Sequence, residues 1–216
     1  MGKVVLFYLL ISSAVIFGQR GGRGFESIYV PVSTLERTYE GTMYLFPNWE
    51  DKFEIYDIEN KGFSFTNLNY NVLTKRIEAK ISKDSIFRLE TKNVNFINYA
   101  SKKYRFYNIR DTRELFQELY ISNNVTFLKG FNATYKEGYI NPLTQVYIQK
   151  EKCYIIEKYF LKLNNKIFIE LKLNKHSVLK QLGDKASQIK KYASISKLSF
   201  KSERDLFKIF QYYDTL

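Results

Sequence analysis

The chain has 216 residues, of which 45% are hydrophobic, 17% aromatic and 26% charged, and its formal net charge is +12. That is the composition of one folded domain with ample core material, too apolar for a disordered chain. Three prolines and ten glycines exclude collagen-like and linker-dominated chains, one cysteine excludes an internal disulfide or a thiolate metal cluster, and one histidine excludes any site built on two imidazoles.

The first element is an expected export signal. Lys3 stands ahead of an apolar run from Val4 to Phe17, broken only by Ser12 and Ser13, and the small Gly18 closes it before Gln19, Arg20 and a glycine cluster. A run of about fourteen residues suits a signal-peptide core and falls short of the roughly 20 needed to span a bilayer. The rival reading, a buried N-terminal helix or strand, has no use for a leading lysine or a trailing glycine cluster. Residues 1–18 are therefore read as a signal peptide and 19–40 as a flexible leader, with ordered sequence starting near Tyr29 or by Gly41. The expected location is the periplasm or the outer membrane, with no transmembrane helix after cleavage.

Residues 41–173 are expected to form an antiparallel β domain. Short runs rich in Tyr, Phe, Ile, Val and Thr alternate with Asn, Asp, Gly and Lys clusters. They are Thr42 to Phe46, Lys52 to Ile58, Gly62 to Thr66, Ile77 to Ser82, Ser85 to Leu89, Val94 to Ile97 and Tyr104 to Tyr107. Glu114 to Ser122 fits a strand or a helix and is assigned to a strand because its neighbours are strands. Gly130, between Val125–Lys129 and Phe131–Tyr135, is a candidate turn or bulge. Val146 to Ile148, Cys153 to Leu163 and Ile167 to Leu173 complete the series, the last two joined by Asn164-Asn165 in an expected tight hairpin. Many short strands without intervening helices predict a sandwich or a rolled sheet.

Residues 174–216 change period and are expected to form a helical pair packed on the β domain. Val178, Leu179, Leu182, Ala186 and Ile189 repeat at helical spacing, with a bend expected at Gly183. A second helix runs from Ser202, a cap residue, to Tyr213, with Leu206, Phe207, Ile209, Phe210 and Tyr213 on its apolar face.

The search for catalytic motifs points to no catalytic residue, cofactor or metal site. G-x-S-x-G, H-E-x-x-H and phosphate-loop patterns do not occur. His176 reads as a solvated helix-start residue and Cys153, in Cys153-Tyr-Ile-Ile, as a buried small hydrophobe. Glu50 with Asp51, and Asp57 with Glu59, are the acid pairs from which a carbohydrate-active enzyme could be built. Asp84-Ser85-Ile86 and Asp214-Thr215-Leu216 match a short O-glycosylation pattern, and Asn124 and Asn132 head N-x-Thr sequons. Lysines gather in the C-terminal third, and Lys180, Lys185 and Lys190 are the candidate contacts for an anionic surface. Nucleic acid is not the expected partner of an exported chain.

The tail, Lys175-His-Ser-Val-Leu-Lys-Gln-Leu, Ile189-Lys-Lys-Tyr192, Lys197-Leu-Ser-Phe-Lys-Ser-Glu and Asp205-Leu-Phe-Lys-Ile-Phe-Gln-Tyr-Tyr213, together with the block Gly41-Thr-Met-Tyr-Leu-Phe-Pro-Asn-Trp49, resembles a family of exported Bacteroidota proteins with no assigned catalytic residues. The resemblance implies a secreted β-rich body closed by two helices in the cell envelope. The expected function is a non-catalytic binding or structural component of that envelope, touching another envelope protein or an anionic surface. The alternatives are an integral outer-membrane β-barrel and, after it, a carbohydrate-active enzyme.

Overall fold

The computed structural model describes residues 27–31, 40–82, 85–109, 112–164 and 166–216. Residues 1–18, read above as an export signal, and Asp84 lie outside the described residues. The chain is mainly β, as its alternating patterns predict. In chain order the strands are β1 (Ser27–Pro31), β2 (Glu40–Gly41), β3 (Phe53–Asp57), β4 (Gly62–Phe65), β5 (Leu68–Asn71), β6 (Arg76–Ser82), β7 (Ser85–Leu89), β8 (Val94–Tyr99), β9 (Lys102–Ile109) and β10 (Thr112–Ile121). They continue with β11 (Val125–Lys136), β12 (Tyr139–Ile140), β13 (Tyr147–Gln149), β14 (Lys152–Leu163) and β15 (Ile169–Leu171). Helices α1 (Lys175–Leu182), α2 (Ala186–Ile195) and α3 (Glu203–Asp214) follow.

Three sheets result. The large one runs β15-β14-β11-β10-β9-β8-β3-β4, with β2 added to β14; the small one runs β1-β7-β6-β5; β12 and β13 form a hairpin of their own. Among the described residues the pairings are antiparallel except β2 on β14. That parallel contact needs Gly41, whose φ is +96° and whose added Cβ would stand 2.1 Å from the Cys153 carbonyl oxygen.

The large sheet is covered unevenly. Along β11 the residues of one face are Val125, Phe127, Lys129, Phe131 and Ala133, each opposite a β14 residue of the same face. Phe131 joins a core with Phe53, Ile55, Ile97, Tyr104, Phe106 and Leu115, against Leu68, Tyr70, Val72, Ile77 and Leu89 of the small sheet side. Val125 and Phe127 join a second core with Leu161, Leu171 and the helices. Sandwich and helical cap thus share one face of one sheet, with Lys129 at their border.

Several expectations need correction. Residues 27–31, placed in the leader, form β1 on β7. Thr42 to Phe46 is not a strand; only an isolated bridge from Tyr44 to Asn71 forms there. The buried Asn69 side chain replaces the ladder, accepting from the Phe46 amide at 3.0 Å and donating to the Phe46 carbonyl at 2.8 Å. No alternating run marks β5 or β12. Gly130 is neither turn nor bulge, because β11 runs straight through it. A Cβ at that position would press within 2.7 Å of the Phe116 ring and 3.0 Å of Phe160. The connection from β14 to β15 is longer than the expected tight hairpin, with Asn164 at φ +49° and Asn165 outside the described residues. The ambiguous Glu114 to Ser122 segment is strand, as assigned.

Candidate functional site

The helical cap is built by its local sequence. Asn174 caps α1, accepting from the Ser177 amide at 2.8 Å, and Gly183 ends it at φ +55°. The bend expected there divides the first helix into α1 and α2. Ser202 caps α3, accepting from the Asp205 amide at 3.3 Å. Val178, Leu182, Ile189, Ala193, Leu206, Ile209, Phe210 and Tyr213 are buried against the β body. Phe207, expected on that apolar face, is 39% exposed and stands perpendicular to the Tyr120 ring, with ring centres 5.3 Å apart.

Residues 174–216 contain nine basic residues and four acids, Asp184, Glu203, Asp205 and Asp214. Three of the acids are engaged inward. Glu203 takes Lys129 at 2.6 Å and the Tyr159 hydroxyl at 2.7 Å. Asp214 accepts from the Tyr120 hydroxyl at 2.5 Å, its other oxygen buried without a donor among the described residues. Asp205 accepts from the Ser199 amide at 2.9 Å. Asp184 is exposed, as are Lys175, Lys180, Lys190, Lys191, Lys197, Lys201, Arg204 and Lys208. Locking the acids into the fold leaves the outer surface of the cap strongly cationic.

Of the three candidate lysines, Lys180 and Lys190 stand exposed on α1 and α2. Lys185 does not belong with them. It is half-buried in the tight turn after Gly183, its Nζ 4.3 Å from the centre of the Tyr213 ring, so it fastens α3 rather than facing solvent. His176 is exposed in the first turn of α1.

The acids singled out in pairs serve the backbone and its neighbours. Asp57 accepts from the amides of Glu59 and Lys61 at 2.9 and 2.8 Å, holding the β3–β4 turn. Asp51 accepts from the Tyr99 hydroxyl at 2.5 Å; burial and then that carboxylate push the Tyr99 pKa up to about 12. Glu50 and Glu59 are exposed. Of the sequons, Asn124 is exposed beside the β10–β11 turn, whereas Asn132 sits inside β11 opposite Ile156. Cys153 is a buried free thiol whose pKa burial raises.

Two further clusters carry no local sequence signal. Glu78 is fully buried, accepting from Tyr44, Asn71 and Arg88 at 2.8, 3.3 and 2.9 Å. Glu78 alternates with Ile77 and Ala79 along β6, and nothing local announces Asn71 and Arg88 as its partners. On the other face of the large sheet, Phe96 stacks on Tyr56 at 4.3 Å and lies under Lys103 at 4.2 Å and Arg105 at 5.3 Å. Arg105 and Tyr107 both donate to Glu118, at 2.7 Å each. Beside this stack lies an open depression of about 410 Å³ lined by Lys52, Glu54, Asn98, Tyr99, Lys102 and Lys103 and by the turn Ala100–Ser101.

Among the described residues no three His, Cys, Asp or Glu side chains gather as a metal site, and no helix is long and apolar enough to cross a membrane. No family model, curated protein or solved structure matches the chain.

Proposed function

We propose that this chain is an exported, non-catalytic binding component of a cell envelope, and that its helical cap holds an anionic envelope surface. The observation that carries this reading is the segregation of charge on the cap: Glu203, Asp205 and Asp214 are tied down while the lysines remain exposed. Such a surface attracts anionic head groups or acidic glycans from solution. Lysine rather than arginine dominates it, which suits diffuse attraction to a charged layer better than recognition of a single phosphate. The signal-like segment and the likeness to exported Bacteroidota proteins support the location. An integral outer-membrane barrel requires a sheet closed on itself; the large sheet ends at β4 and β15, which favours a peripheral component.

Binding to isolated envelopes, followed by sedimentation between roughly 50 and 500 mM salt, tests the reading. Attraction should fall steadily across that range. Lys180→Glu with Lys190→Glu should weaken binding at low salt and leave the melting temperature unchanged, since both side chains are solvated. Lys185 is left out of the test because it packs on Tyr213. A flat salt profile together with unchanged binding of the double variant overturns the proposal.

A further inference from the structure

At the opposite end of the β11–β14 ribbon from the cap stands the β12–β13 hairpin. The ribbon pairs Val125 with Leu163 at the cap end and Lys136 with Lys152 at the hairpin end, about 40 Å apart at strand rise. From Tyr139 to Gln149 the chain carries no charged residue, in a protein that is 26% charged. Six large apolar side chains are nevertheless exposed there: Tyr139 at 58%, Ile140 at 39%, Leu143 at 92%, Val146 at 62%, Tyr147 at 51% and Ile148 at 63%. The most exposed of them, Leu143, is at the tip.

The hairpin is a built element. Asn141 accepts from the Leu143 amide through its side chain at 2.9 Å, and its backbone carbonyl takes the Gln145 amide at 2.9 Å. The Asn141 amide donates to Val146 at 2.9 Å, and Gln145 sits at φ +56° to close the turn. At the root, a Cβ on Gly138 would lie 2.8 Å from the Gln149 carbonyl oxygen, so only glycine lets the two arms meet there. An exposed, uncharged apolar tip is therefore held in shape by the hairpin's own hydrogen bonds and root glycine.

Apolar side chains leave this hairpin on both faces and at its end: Tyr139 and Ile140 are adjacent in one arm and point to opposite sides, and Tyr147 pairs with Ile140 on its side, while a register shift leaves Ile148 the extra residue between Tyr147 and Gln149 in the other arm. A flat protein surface, such as a second copy of the chain, would cover one face and leave the other wet. A lipid layer surrounds what enters it. Two tyrosines flank the apolar tip, a placement suited to the interfacial zone where aromatic rings rest. Lys136 and Lys150 are exposed at the base, where head groups would lie, although Glu137 and Glu151 beside them limit the net charge. The unpaired outer backbone groups of a two-stranded hairpin cannot enter the hydrocarbon core, which sets the depth at the interface, about 5–10 Å.

We infer that the Tyr139–Gln149 hairpin inserts its apolar tip into the interface of a lipid bilayer, a contact distinct from that of the cap and driven by apolar burial more than by charge. The test uses the protein purified from its native envelope and carrying Trp49→Phe and Leu143→Trp, so that the probe reports on the tip alone. Phosphatidylcholine vesicles with and without a fifth of phosphatidylglycerol are added, on the order of the composition of an anionic membrane. A blue shift of the emission and quenching by bromine-labelled acyl chains, both persisting in high salt, are expected. Placing Ile140→Asp and Ile148→Asp in the same protein should lower vesicle binding about tenfold or more, with the melting temperature held. An unshifted, unquenched tryptophan overturns the inference, even where the protein sediments with vesicles through another surface. A concentration-dependent dimer that the aspartate variants dissociate, with no response to lipid, also overturns it in favour of self-association. Lys180→Glu with Lys190→Glu leaves the tryptophan signal unchanged, which separates this contact from the cap's.

Discussion

Tyrosine hydroxyls close many of the fold's polar contacts, and their ionisation gives those contacts a measurable signature. Tyr99 donates to Asp51, Tyr120 donates to Asp214, and Tyr104 is buried in the sandwich core. Burial first, and then the neighbouring carboxylate for Tyr99 and Tyr120, raises each pKa from 10 to about 12. The folded state holds the neutral phenol, so its stabilising contribution is complete below pH 10 and is lost as pH rises through about 12. An ultraviolet absorbance titration should resolve a late class of tyrosines near pH 12, and the unfolding midpoint should hold to pH 10 and fall above it. Uniform titration of all the tyrosines near 10 with the native circular dichroism intact would falsify this account. Single residues were legible where their neighbours along the chain decide their state, as with the burial of Cys153 and the cap at Ser202. Glu78, Asn69 and Asn71 were not, because their partners arrive from other strands and a buried polar side chain has the same letters as a solvated one.

Among the elements, α3 offers the clearest contrast between pattern and packing. Helical periodicity put Phe207 and Phe210 on one apolar face, and the structure separates them. Phe210 is fully buried between Phe127 and Tyr120, whereas Phe207 lies at the rim. A charge at the first site must be desolvated, at a cost of several kcal/mol, while at the second it can turn to water. Phe210→Asp should therefore lose about 3 kcal/mol or more in a denaturant titration, and Phe207→Asp about 1 kcal/mol or less. Equal losses would mean that the helix docks on a different face. The helices were legible because a 3.6-residue stripe is a local signal. The continuity of β11 was not, since glycine at 130 serves Phe116 and Phe160, residues thirty or fewer positions away along the chain but on neighbouring strands. β5 was hidden for a related reason: all four of its residues are buried, and its two asparagines imitate a turn.

At the scale of the molecule, one face of a single sheet carries two cores, and a charged residue divides them. Lys129 sits on β11 between Phe127 of the capped half and Phe131 of the sandwich, nine-tenths buried beside Gln117. Its Nζ reaches Glu157 at 3.3 Å on β14 and Glu203 at 2.6 Å on α3, and Tyr159 donates to the same Glu203. This seam ties the cap to the body by charge where apolar packing is interrupted. Removing one member leaves the others facing low dielectric, and because Glu157 and Glu203 keep partial access to water the loss should be moderate, about 1–3 kcal/mol. Lys129→Met should accordingly lower hydrogen-exchange protection in α3 before it affects β5 and β6, and adding Glu203→Gln should recover part of the loss by removing the stranded carboxylate. Uniform deprotection of all strands by Lys129→Met would show instead that the two cores unfold as one unit.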